Sequence, residues 1–105
     1  MRTTDPAVTL QFRGDLEQKL ELASAKNLPL IVSWELSDSY DRADLVCDEG
    51  AFNAEVVEHV AASLIRLLGV GKRLGLVDRN LRNFTMECFP RGSGQSIFLR
   101  TYEVE

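Results

Sequence analysis

Pro29-Leu30-Ile31-Val32-Ser33-Trp34-Glu35-Leu36 is followed by Ser37-Asp38-Ser39-Tyr40-Asp41-Arg42-Ala43-Asp44, and the reading of this junction decides the fold. Residues 30–34 form a nearly continuous apolar run rich in β-formers, which predicts a central strand covered on both faces. Upstream, Asp15 is a good N-cap, with Gln18 three residues on as its capping-box partner. Leu16, Leu20 and Ala23 then recur at helical spacing, and Leu22 broadens the stripe. Asn27 and Pro29 end that helix, because Asn tolerates a left-handed cap and proline cannot continue the hydrogen-bond ladder. Downstream, Ser37 or Ser39 is placed to cap a second helix through Val46, which Asp48-Glu49-Gly50 breaks.

The alternation continues towards the C-terminus. Residues 1–8 read as a loose leader, and residues 9–13 as a short edge strand or a turn. Asn53 caps a helix whose buried face is Val56, Val57, Val60 and Ala61, with Glu55 and Glu58 outward near its positive end. Residues 63–68 (Ser-Leu-Ile-Arg-Leu-Leu) predict a second, parallel strand, punctuated by Gly69 and Gly71. Leu74, Leu76, Val77, Leu81 and Phe84 predict another helix or helical turn. Arg91-Gly92-Ser93-Gly94-Gln95 is a flexible turn, and residues 96–104 alternate as a half-buried strand. Helices alternating with strands mean βαβ connections, hence a single α/β domain over residues 9–105 whose mixed sheet has parallel centre strands.

The 105 residues suffice for one core and are too few for two. No apolar run approaches the ~20 residues needed to cross a bilayer, so no membrane span is expected. The opening Met1-Arg2-Thr3-Thr4-Asp5-Pro6 lacks the apolar stretch of a signal peptide. The chain is compatible with being one domain of a longer protein. Cys47 and Cys88 fit no metal spacing, and two free thiols point to a reducing compartment, the cytoplasm or the nucleus. Charge is uneven: residues 1–65 hold twelve acids against five bases, while residues 66–100 hold seven bases against Asp78 and Glu87. Such an asymmetry gives a field able to steer a partner to one side. A nucleic-acid partner is not expected, since Phe84 and Phe89 beside the basic stretch read as core and no binding motif is present.

Phe84-Thr85-Met86-Glu87-Cys88-Phe89-Pro90 carries a resemblance. Phe84, Met86 and Pro90 occupy the places of the aromatic residue, the aliphatic residue and the cis-proline around the end of the third helix of thioredoxin-like domains. The chain resembles that superfamily, which implies a three-layer α/β/α domain and a cis bond at Pro90. It lacks the Cys-x-x-Cys of the family, because residues 37–44 supply hydroxyls and carboxylates and no sulfur at the matching place. Within the superfamily it is similar to the UAS-type domain of UBX proteins. That likeness rests on Phe12, Gly14, Leu16, Leu20, Ala23, Ala25-Lys26 and Pro29-Leu30, then on Cys47, Phe52, Asn53 and Val56-Val57. It implies a non-catalytic adaptor in ubiquitin-linked protein quality control, with protein partners from that pathway, a fatty-acid ligand and self-association. The basic residues Arg66, Lys72, Arg73, Arg79 and Arg82 are the candidate interaction surface.

The remaining residue types set the alternatives. Dithiol chemistry needs a stabilised thiolate and a resolving thiol close by, and the acids at residues 38–44 would raise a neighbouring thiol's pKa. Cys47 reads as a core residue, and Cys88 lies beside the candidate cis-proline. The alternative function is a thiol-dependent redox protein using Cys88 or Cys47 alone. Another is a small self-associating module that pairs through an exposed strand edge at residues 97–104. His59, the one histidine, reads as a surface pair with Glu55 and builds no catalytic set. Asp38, Asp41, Asp44, Asp48 and Glu49 lack the calcium-loop pattern and read as a solvated face. Gly69-Val70-Gly71-Lys72 lacks the phosphate-loop frame and reads as a turn. No cofactor or metal is expected.

Overall fold

The computed structural model describes residues 6–105. Helix α1 runs Pro6–Lys26. Residues 9–13, expected as an edge strand or turn, are therefore helical. Of the expected leader, residues 6–8 belong to the helix and residues 1–5 lie outside the described residues. Packing extends the helix upstream, because Phe12 joins Leu16 and Leu20 at four-residue spacing and all three are buried. Asp15 sits exposed within the helix rather than at its cap. Proline at the first position is tolerated, where its missing N–H has no helical partner to lose.

Strand β1 is Ile31–Leu36, close to the expected run. Strand β2, Arg42–Cys47, replaces the helix expected up to Val46. Ala43, Leu45 and Cys47 are buried while Arg42, Asp44 and Val46 are half-buried, a period of two that a strand satisfies and a helix does not. The serines read as helix caps make the hairpin turn instead. The Ser37 hydroxyl donates to the Asp41 carboxylate at 2.8 Å and accepts the N–H groups of Asp41 and Arg42, each at 3.1 Å. The Ser39 hydroxyl adds a second bond to Asp41 at 2.8 Å. Short polar side chains that bond nearby backbone stabilise turns at the expense of helix.

Helix α2 runs Ala54–Arg73 and is capped as expected by Asn53, whose side chain accepts the Glu55 N–H. It absorbs residues 63–68, expected as a strand, and residues 69–72, expected as a turn. Val57, Val60, Ala61, Leu64 and Leu68 are buried at helical spacing, and a short run of Leu and Ile has no period of its own to separate strand from buried helix. Gly75, at φ 77°, ends the helix in a left-handed cap. In place of the helix or helical turn expected from Leu74 to Phe84, a loop with turns at residues 74–75 and 79–80 leads into β3, Asn83–Pro90. After the expected turn at residues 91–95 comes β4, Phe98–Glu103.

The strand order is β1-β2-β3-β4. Hairpins β1–β2 and β3–β4 are antiparallel, and α2 carries the chain across so that β2 and β3 pair in parallel. The expected α/β class and mixed sheet are present, but β1 is an edge strand rather than the middle one. The helices run antiparallel to each other. Phe12 near the start of α1 meets Gly71 near the end of α2, and Lys26 shares a groove with Asn53 at the opposite ends. Together they cover one face of the sheet, giving two layers where three were expected. Phe84, Met86, Cys88 and Pro90 alternate into that core, so this segment is a strand and not a helix end. The cis X–Pro bond among the described residues is Leu28–Pro29 and not the one expected at Pro90. Each fully buried Leu, Phe or Met of such a core stabilises the fold by about 1.5–3 kcal/mol.

Candidate functional site

Cys47 and Cys88 stand on neighbouring strands, and both side chains are fully buried. In the parallel register Leu45 faces Cys88 and Cys47 faces Pro90, so the two thiols are diagonal neighbours on the core side. Nothing in their sequence spacing announces this, because the two strands pair only across the α2 crossover. The hydrogen bond between the thiols, together with burial, pushes Cys88 far above the ordinary thiol range. Both cysteines are free.

The five basic residues do not act alike. Lys72 is half-buried, and its ammonium donates to the carbonyls of Leu81 at 2.6 Å and Val104 at 3.2 Å. It thereby fastens the loop after α2 and the C-terminal end of β4 to the helix. Arg66 and Arg73 are exposed on α2, while Arg79 and Arg82 are exposed on the loop before β3. His59 is exposed and lines a groove of about 610 Å³ between the helices, alongside Lys26, Asn53, Glu55 and Val56. The acids near the hairpin divide. Asp41 is held in the turn, where the hydroxyls of Ser39 and Ser37 lower its carboxyl below the ordinary value, whereas Asp44 points to the other side of the sheet.

Among the described residues, that other side carries no helix. Register places Glu35, Asp44, Glu87 and Leu99 in one row across all four strands, with Ser33, Val46 and Phe89 in a neighbouring row. Arg42, Thr85 and Thr101 form a row on the far side of the acids. The Arg42 guanidinium reaches Asp44 at 2.7 Å and also binds Glu87, which ties the parallel pair across the open face. Thr85 and Thr101 hydroxyls meet at 3.1 Å and tie β3 to β4. Glu35 is exposed, and among the described residues no hydrogen bond or ion pair engages its carboxylate. It borders a depression of about 230 Å³ shared with Asp38, Arg42 and Asp44. Leu99 is 60% exposed on the same face.

This surface was missed by the sequence reading although a signal was there. Arg42-Ala-Asp-Leu45 and Phe84-Thr-Met-Glu-Cys88 both alternate polar and apolar residues with a period of two, which sets them on opposite faces. Among the described residues no group of three or more His, Cys, Asp or Glu side chains is arranged to hold a metal, and no helix is long and apolar enough to cross a membrane. Compared with known proteins, the chain matches no family model, no curated protein and no solved structure.

Proposed function

We propose that this chain is a non-catalytic protein-interaction module whose contact surface is the uncovered face of its sheet. One observation carries the reading: among the described residues the parallel pair β2–β3 has no layer on one side, whereas parallel strands ordinarily have both faces covered. Leu99, Val46 and Phe89 on that side are apolar surface that a partner would remove from water. Burial of both thiols weighs against the thiol-dependent redox alternative, since a reactive thiolate must meet its target. Kinship with thioredoxin-like UAS-type domains of UBX adaptors, and a role in ubiquitin-linked quality control, rests on the short sequence likenesses. The two-layer order and the edge position of β1 depart from that frame.

Cross-linking of the folded chain to a purified binding protein is expected to join residues of β2, β3 and β4 to the partner, while both cysteines resist alkylation until urea unfolds the domain. Rapid alkylation of the native protein, with cysteine-dependent thiol–disulfide turnover, would overturn the reading in favour of the redox alternative. A self-associating module is the second reading, favoured by the position of β4 at the sheet's edge.

A further inference from the structure

The uncovered sheet face has a definite charge. Among the paired strand residues, Glu35, Asp44, Glu87 and Glu103 share it with one base, Arg42, which is already engaged by Asp44 and Glu87. A second copy laid face to face would set carboxylates against carboxylates, which costs free energy. The acids also have a spacing. They stand on successive strands in a row perpendicular to the chain direction, and strands lie ~4.8 Å apart. An α-helix advances ~5.4 Å per turn. A helix crossing the strands can therefore set one cationic side chain per turn above Glu35, Asp44 and Glu87. Its neighbouring stripe would then fall over Val46 and Phe89, with Leu99 at the end of the acidic row. The depression beside Glu35, Asp38 and Asp44 gives the first cationic head a seat at the β1 edge.

We propose that this face seats a basic amphipathic helix of a partner protein, its Lys or Arg side chains over Glu35, Asp44 and Glu87 and its apolar stripe over Val46, Phe89 and Leu99. The inference rests on the interaction-module reading and names the kind of partner for the same surface. Arg42 serves as a brace that holds Asp44 and Glu87 in register, and leaves Glu35 as the carboxylate most available to a new cation. Attraction of this kind steers encounter and weakens as salt rises.

The test uses the whole chain and a synthetic helical peptide with Lys at i, i+3 and i+7 beside a Leu stripe, and its Glu-for-Lys counterpart as control. NMR shift mapping is expected to place the basic peptide over residues of the two rows, with affinity falling as salt is added and no binding by the acidic control. Glu35→Lys and Leu99→Lys, both at exposed positions and opposite Asp44 and Glu87 in register, are each expected to weaken binding about tenfold or more with an unchanged melting temperature. Absence of binding, equal binding of the acidic peptide, perturbations confined to the groove around Lys26 and His59, or self-association through this face would each overturn the proposal. A protein partner that covers this face with anything other than a basic helix would overturn this proposal while the interaction-module reading stands, and one that binds through the helical layer would remove both. Cysteine-dependent turnover would remove both.

Discussion

Gly71 lies where α2 passes over Phe12, and a Cβ there would stand 2.4 Å from the Phe12 ring and 2.8 Å from a Val77 methyl. Both neighbours are themselves buried, so neither can swing aside. Gly71→Ala is expected to destabilise by about 1–3 kcal/mol, the usual cost of overpacking. Gly69, two residues earlier in the same helix, would meet the Glu105 carbonyl at 3.6 Å and the Arg73 guanidinium at 3.9 Å, both ordinary contacts. Gly69→Ala should be neutral or stabilising by up to about 1 kcal/mol, because alanine is the better helix former. Urea titration of the pair separates a glycine required by contact from one that is not. Asp41 gives a second test at this scale. The Ser39 and Ser37 hydroxyls favour its charged form, so its folded pKa lies below the ordinary 3.8. A lowered carboxyl contributes stability that is complete above the unfolded value and is lost as pH falls through the folded one. NMR titration should therefore show Asp41 titrating low, Ser39→Ala should move it upward, and the stability of Asp41→Asn should converge with that of the native protein in acid.

Among the elements, α2 has the most to hold. Its start depends on Asn53, and Asn53→Ala is expected to cost about 1 kcal/mol as the Glu55 N–H loses its acceptor. Its end depends on Lys72, which ties two carbonyls from separate segments. Lys72→Met should cost about 1.5–3 kcal/mol, since hydrogen bonds to a charged group are the stronger kind, and thermal melting measures both. The same element shows what the chain makes legible. The cap at Asn53 was readable because a short polar side chain before an apolar stripe is a local device. The strand read at residues 63–68 failed because Leu64 and Leu68 only declare their helical spacing when Val57, Val60 and Ala61 are counted with them. At β2 the local signal was misleading in another way: Ser37, Ser39 and Asp41 suit a helix start and a turn equally, and the alternation from Ala43 to Cys47 decides between them. The alternation in β2 and β3 marks which side chains share a face, but the row itself needs the register, because Glu35, Asp44, Glu87 and Leu99 come from four strands and meet only after the sheet forms.

For the whole molecule, the layer count and the edges matter most. With both helices on one side, β1 and β4 end the sheet and the opposite face meets solvent or a partner. Charged side chains blunt the edge, with Arg100 on β4 paired to Glu58 of α2 and Glu103 near the strand's end. Sedimentation at rising concentration is expected to show a monomer, and a dimer lost on Thr101→Pro would instead identify β4 as a pairing edge. The seam between β2 and β3 also has a kinetic consequence. Each hairpin closes a short loop, whereas the two hairpins join only after the whole of α2 has been traversed. Closing that longer loop is the slow event, because its entropy is lost before parallel contacts form. In stopped-flow refolding, Val57→Ala and Leu64→Ala should slow folding nearly in proportion to their destabilisation. Changes in the hairpin turns, such as Ser39→Ala and Gly92→Ala, should chiefly speed unfolding. The helix that leaves one face of the sheet open is thus also the bridge whose docking sets the pace at which two independent ribbons become one sheet.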